Sequence, residues 1–469
     1  MNSKSKNLLN NTALFLIGNI GSKFIQFFLV PLYTYTLSAS QYGTTEIVLT
    51  AINFLIPIFS LSIADGFLRF GLDNRNNKED VTNTALRIVF IGSIMSIICI
   101  PVFSLSTILS KWIPYFVLIL NLRIYRDVLS IRLKIFNNNK LYALDSMLYT
   151  FMLCALSFIF LIPLHMEING YFLAYVLANV FSIFFIMLTS RFSLKVVFQK
   201  VDKVLMRQMI IYSIPMIING ISWWITNASD RFMLEWFMTD ADVGVYSVAT
   251  KVPSFVTTFT GVFSQAWVIS SVVEYDRECE KKFYEEIFHK YYCILFLGSA
   301  LLILILRPFM TIYVSSNFSD AWVYAPLLIA SAVASGIAAF TVGIYAASMK
   351  NLNVTITTVF GGVVNILLNL VLIPKLGIMG AAISTYISWT LIVILRLFDI
   401  KSFFGFYIDY AKLLIFALLN IFQVIVLVSC ETLLSTIVSL LVVVAIVLLE
   451  KNMMITMINI IFEKIRGFK

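Results

Sequence analysis

Apolar runs of about 20 residues follow one another along the whole chain, parted only by short polar breaks. Coiled as helices, such runs each cross the roughly 30 Å of hydrocarbon in a bilayer. The chain is 60% hydrophobic and 13% charged, whereas a soluble domain holds about a quarter charged residues. Lipid is therefore the solvent for most of its surface, and the fold class is an all-α polytopic membrane protein. The polar breaks delimit fourteen spans, near 12–37, 44–70, 81–108, 112–136, 141–164, 170–190, 208–238, 244–272, 287–307, 320–349, 353–373, 377–400, 411–429 and 433–450. The first is too long for a signal-peptide core and no small-residue cleavage site follows it, so it is expected to stay as a span.

Basic residues set the orientation. One set of alternating loops and termini carries Lys4, Lys6, Arg75, Lys78, Lys140, Arg191, Lys195, Lys200, Lys203, Lys281, Lys282, Lys401, Lys464 and Arg466. The opposite set carries Lys111, Arg307 and Lys375, with the acidic turns HMEING and TDADVG. Excess Lys and Arg marks the cytoplasmic side, which places both termini in the cytoplasm, as an even span count requires. Topology thus accounts for the net charge of +9. No contiguous basic stripe is present to follow phosphates along a nucleic acid, so none is expected as a partner. The connector 191–207 is expected to lie on anionic headgroups. In EYDRECEKKFYEE, Glu278 precedes Lys282 by four residues, which supports a solvated helical extension.

The chain also resembles itself. LSASQYGTTEIVLT (37–50) precedes MTDADVGVYSVATK (238–251) by 201 residues, so that Ser38 matches Thr239 and Gly43 matches Gly244. Further hairpins carry Gly170 and Gly380. This pattern implies an N-terminal six-helix bundle over 1–200, a C-terminal one over 205–405, and two additional helices with a tail over 406–469.

Metal and cofactor chemistry have little visible support. The five cysteines, Cys99, Cys154, Cys279, Cys293 and Cys430, show no CxxC spacing. His165 and His289 fall at loops or span ends, where solvated interfacial histidines are the expectation. No metal site and no cofactor are expected.

Charges inside the spans carry more information, since an ion at bilayer depth is costly and usually faces a cavity or a partner. Asn19, Ser22, Lys23, Gln26 and Tyr33 form a polar stripe on the first span. Glu46, Thr50, Asn53 and Ser60 form one on the second, kinked at Pro57 and followed by Asp65 and Arg69. Ser213, Asn219, Trp223, Thr226, Asn227 and Asp230 mark the seventh; Ser247, Lys251, Ser254, Thr258 and Gln265 mark the eighth. Lys23 and Lys251 have no carboxylate three or four residues away. Asp230 and Arg231 fit either an ion pair bracing a helix end or a contact with cargo. Arg123 and Asp127 are expected to pair across one turn, Arg126 to snorkel to the inner interface, and Arg396 to pair with Asp399. Arg307-Pro308 is expected to mark a helix end. The unpaired charges lean cationic, so a hydrated cavity bordered by Lys23, Arg69 and Lys251 would attract an anion.

The stretches NNTALFLIGNIGSKFIQFFLVPLYTYTLSASQYG, SDRFMLEWFMTDADVGVYSVATKV and FSQAW resemble the Wzx-type oligosaccharide flippases of polysaccharide biosynthesis. Those proteins belong to the multidrug/oligosaccharidyl-lipid/polysaccharide exporter superfamily, and the likeness covers about residues 8–400. It implies two six-helix bundles forming a V around a central cavity. It also implies transfer of an undecaprenyl-diphosphate-linked oligosaccharide across the bacterial cytoplasmic membrane, without enzymatic chemistry. On that reading Lys23, Arg69 and Lys251 hold the diphosphate, Asn19, Gln26, Asn53 and Asn227 meet sugar hydroxyls, and Asp230 and Arg231 line the same path. The implied partners are the anionic lipid-linked glycan, membrane lipids, and the glycosyltransferases and polymerase of the pathway; a monomer is the default assembly. Two rival readings are a cation-coupled drug exporter, drawing on Asp65, Glu46 and Asp230, and a membrane polymerase or glycosyltransferase. The short outer loops leave the last without a place for a catalytic cluster.

Overall fold

The computed structural model describes residues 21–23, 25–73, 75–190, 202–274, 280–405, 407–451, 453 and 455. Among these the regular structure is helical, with no strand. The helices are α1 (residues 21–36), α2 (Ala39–Phe59), α3 (Ile63–Gly71), α4 (Lys78–Ile98), α5 (Ile100–Phe103) and α6 (Thr107–Ile135). There follow α7 (Asn139–Leu161), α8 (Glu167–Thr189), α9 (Lys203–Phe237), α10 (Asp240–Ala249), α11 (Pro253–Glu274) and α12 (Glu280–Tyr313). The chain continues through α13 (Ala321–Ala347), α14 (Asn351–Leu376), α15 (Ile378–Phe403), α16 (Tyr410–Ser429) and α17 (Thr432–Leu449). Thirteen of the described helices are long and apolar enough to cross a membrane, and they correspond to the second through fourteenth expected spans. The protein is a multi-pass membrane protein. The first expected span, most of the 191–207 connector and the Glu278–Lys282 pair fall partly or wholly outside the described residues.

The second span, expected to kink at Pro57, breaks there, and the eighth, expected as a single rod, is broken too. α2 contains Pro57 and stops at Phe59; Leu61 and Ser62 then take φ of 51° and 47° before α3 begins. Proline removes one helical N–H and crowds the preceding turn, which ends α2 two residues later. The eighth span divides into α10 and α11 at Thr250–Val252, just ahead of Pro253, which opens α11. A proline is well suited to the first helical position, where its missing N–H costs nothing. Lys251 therefore stands in a turn between two helices instead of on a continuous face.

The chain forms two compact units, Met1–Gly244 and Val245–Lys469. In the first, α1 meets α7 through Ser22 and Ser146, whose hydroxyls lie 3.1 Å apart, and through Tyr33 and Ser157 at 3.0 Å. Tyr33 also packs on Tyr171 of α8, ring centroids 4.6 Å apart. α9 lies against α2 and α3, where Gly220 comes close to Pro57 and Gly66 to Ser213.

The matched hairpins share their local chemistry. The Gln41 N–H donates to Ser38 Oγ while the Ser38 N–H donates to Gln41 Oε1. At the offset positions, the Asp242 N–H donates to Thr239 Oγ1 and the Thr239 N–H to Asp242 Oδ2. Each is a reciprocal cap that satisfies two helix-start donors. The two helix starts also cross: Gly43 abuts the backbone at Asp240, and Gly244 abuts the backbone at Ala39, which sits 201 residues before Asp240. Only a residue without Cβ permits so close a crossing.

In the second unit α13 is the most enclosed span. Gly336 and Gly343 let Tyr291 of α12 and Trp267 and Ser271 of α11 reach its carbonyls: Tyr291 donates to Gly336 O, Trp267 Nε1 to Phe340 O, and Ser271 to Gly343 O. Arg396 of α15 is buried and does not close on Asp399 as expected. Its guanidinium donates to Ala338 O, Val354 O and the hydroxyls of Thr357 and Thr358, at 2.8–3.1 Å, joining α13, α14 and α15. Asp399 instead accepts from Tyr345 and Asn353. α16 docks on α12 through Asn420 to Ser299 Oγ and Gln423 to Ala300 O, both 2.9 Å.

Candidate functional site

In the first unit the polar stripe of α2 is met by charges from two other helices. Near its start, Glu46 faces Arg231 of α9 at 3.6 Å, both side chains nearly enclosed. One turn on, Trp224 Nε1 of α9 donates to the Thr50 carbonyl at 3.0 Å. A further turn on, Arg123 of α6 donates to Asn53 Oδ1 at 2.7 Å. Ser60, Ser62, Asp65 and Asp127 then line a cavity of about 150 Å³ between α2, α3 and α6. That volume suits a few waters, each taking about 30 Å³, and is too small for a sugar diphosphate. In the loop beyond α3, hydrogen bonds from the Arg75 side chain and backbone hold the Asp73 carboxyl down to about 2.

The expected site residues divide by position. Lys23 and Gln26 are exposed on α1, while Ser22 and Tyr33 of the same stripe turn inward. Asn53 and Arg69 are exposed on α2 and α3, and Asn227 is exposed on α9. Asp230 is buried. Asn19 lies outside the described residues, as do the side chains of Asn219, Trp223 and Thr226. Lys251, in the second unit, is half-buried at the break between α10 and α11. The structure brings Asn53 to Arg123 and Arg231 to Glu46.

Arg231 meets a carboxylate of another helix, Glu46, at 3.6 Å. Two expectations about these charges need correction. Arg123 reaches across to α2, and no Arg123–Asp127 ion pair forms among the described residues. Arg126 does not snorkel: its Nε donates to Ser182 Oγ at 2.7 Å, its Nη2 lies 3.4 Å from Asp145, and it covers the Tyr149 ring at 3.7 Å. Arg123 is the functional candidate that helical periodicity does not single out, since its partner lies 70 residues away on another helix.

Arg123, Arg231 and Trp224 thus reach Asn53, Glu46 and the Thr50 carbonyl along one helix, α2, within the first unit. Residues 8–269 match the model of a family described as polysaccharide biosynthesis protein. A comparison with curated protein sequences finds no match. Among solved structures, the lipid II flippase MurJ in an inward closed conformation aligns with a TM-score of 0.68 at 14% identity, over 95% of this chain and 100% of that one. An inward-facing multidrug resistance MATE family transporter aligns with a TM-score of 0.66 at 14% identity, over 82% and 94%. A mutant of the Vibrio cholerae MATE transporter VcmN aligns at 0.56 and 14% identity, over 85% and 97%. At such identity the likeness establishes a fold shared with MurJ and the MATE transporters.

Proposed function

This chain belongs to the polysaccharide biosynthesis protein family, and from that premise we propose that it is a flippase for an undecaprenyl-diphosphate-linked oligosaccharide. It works in the bacterial cytoplasmic membrane, with both termini in the cytoplasm. The observation that carries this reading is the charged ladder on α2, where Arg123 and Arg231 stand among amides and hydroxyls on membrane-spanning helices. Lys23, Arg69 and Lys251 are the cations offered to the diphosphate, with Arg123 added to them. Gln26, Asn53 and Asn227, with Asn19, meet sugar hydroxyls. Arg231 and Asp230 brace α9 beside this path. Several dispersed cations attract a dianionic head yet allow its release, which transport requires. The halves 1–200 and 205–405 rock about the cargo, as in other repeat-built transporters, while 406–469 is an addition. The chain acts as a monomer beside the glycosyltransferases and polymerase that make and use its cargo.

A cation-coupled drug exporter is the second reading. It draws on acids that bind a cation, and Glu46 stands 3.6 Å from the Arg231 guanidinium. The two readings separate in cells lacking the chromosomal copy. Plasmid-borne wild type should restore surface glycan, whereas Lys23→Ala and Lys251→Ala should not, at equal membrane abundance. Wild-type glycan export from both variants removes those lysines from the site. Restored drug resistance without glycan export overturns the flippase reading.

A further inference from the structure

We propose that the second unit carries a zinc site built from His289, Cys293 and Glu450, clipping α12 to the end of α17. The ligand atoms of these three residues all lie within 4.8 Å of one another. His289 Nε2 is 3.1 Å from Glu450 Oε2 and 3.8 Å from Cys293 Sγ. Around a tetrahedral zinc with ordinary bond lengths, nitrogen–oxygen and nitrogen–sulfur separations are about 3.4 and 3.6 Å. The two pairs that involve His289 thus match zinc spacing to a few tenths of an ångström, and Cys293 and Glu450, within 4.8 Å of each other, close to about 3.6 Å on binding.

Their surroundings hold the ligands as a metal site does. His289 Nδ1 lies 2.7 Å from the Tyr292 hydroxyl. A proton on Nδ1, donated to Tyr292, leaves Nε2 with a free lone pair, and such an outer hydrogen bond commonly orients metal-bound imidazole. Lys412 of α16 holds Glu450 Oε1 at 2.5 Å, which leaves Oε2 for the ion. Lys412 does not cancel the site: a divalent ion with one thiolate and one carboxylate is neutral, and the ammonium stays paired with the oxygen that does not ligate. Cys293 and Glu450 are buried, whereas the His289 side chain is 34% exposed and opens a route for the ion and for water as fourth ligand. Mixed sulfur, nitrogen and oxygen donors favour zinc over the hard cations magnesium and calcium. On binding, the Cys293 S–H bond breaks, the sulfur bonds to zinc, and the proton passes to water.

The site is independent of the transport reading and is tested on the purified full-length chain in nanodiscs. After chelation, Co²⁺ is titrated as a spectroscopic probe and Zn²⁺ is used to displace it. One equivalent of Co²⁺ should produce a thiolate-to-metal absorption band that Zn²⁺ abolishes. Cys293→Ser should remove the band, Cys430→Ser should retain it, and Glu450→Gln should weaken affinity at least about tenfold. A readout that needs no substitution is bound zinc itself: wild type loaded with Zn²⁺ and dialysed should retain one equivalent per chain, released by chelator. Absence of the band, its survival in Cys293→Ser, or no zinc retained by the wild type overturns the proposal and leaves the cluster an ion-pair network.

Discussion

Gly43 and Gly244 offer a perturbation whose outcome can be worked from distances. A Cβ on Gly43 would stand 2.7 Å from the Asp240 carbonyl carbon and 2.9 Å from Gly244 N, with the Asp240 oxygen nearer still. A Cβ on Gly244 would stand 3.0 Å from the Ala39 carbonyl carbon and 3.2 Å from Gly43 N, again with the oxygen nearer. Both obstacles are backbone, so no rotamer change relieves them and the helix starts must separate. Overpacking costs about 1–3 kcal/mol even where side chains can adjust. We therefore place Gly43→Ala at about 3 kcal/mol and Gly244→Ala slightly below it. Gly261 and Gly298 are the controls, because a Cβ there meets nothing within 4 Å. Alanine at either should be neutral or gain up to about 1 kcal/mol of helix propensity. The assay is thermal unfolding of purified protein in one detergent, followed by tryptophan fluorescence. Gly43→Ala and Gly244→Ala should lower the apparent Tm by about 5 °C or more, with Gly261→Ala and Gly298→Ala near wild type. Equal melting of all four would refute the crossing.

Arg396→Met should cost about 3 kcal/mol, because two buried carbonyls lose a charged donor; Arg396→Lys should not rescue it, having no planar fork to reach three helices. Thermal unfolding checks both, and wild-type stability in Arg396→Lys would contradict the assigned geometry. For Glu46 and Arg231, either single change to Gln should destabilise, while the double change costs less than the sum. Strict additivity in that cycle would deny the pairing. Arg123→Gln should depress glycan export at normal membrane abundance, and unimpaired export would confine Arg123 to holding α2.

The spans were legible because bilayer crossing demands length and apolarity, which any window of residues reveals. The hairpin repeat was legible for a similar reason: Ser38 with Gln41 and Thr239 with Asp242 are local capping chemistry. Ion pairing was not. Spacing along one helix suggests partners within a turn for Arg123 and Arg396 and the inner interface for Arg126, yet each takes a partner from another helix. Periodicity says which residues share a face and is silent on what that face meets. The break at Lys251 did have a signal, in Pro253 two residues on. The His289–Cys293 spacing was likewise visible as one helical turn, but Glu450 lies 157 residues beyond Cys293 and only folding brings it there.

The central claim, that dispersed cationic side chains carry an anionic lipid-linked glycan, is tested most directly in proteoliposomes. A lectin outside the vesicles reports arrival of an undecaprenyl-diphosphate oligosaccharide from the inner leaflet. Protein-dependent arrival that drops at least about tenfold when Lys23, Arg69 and Lys251 are changed together to Gln is the expected result. Arrival at the rate of empty vesicles, or at full rate in the triple variant, would contradict it.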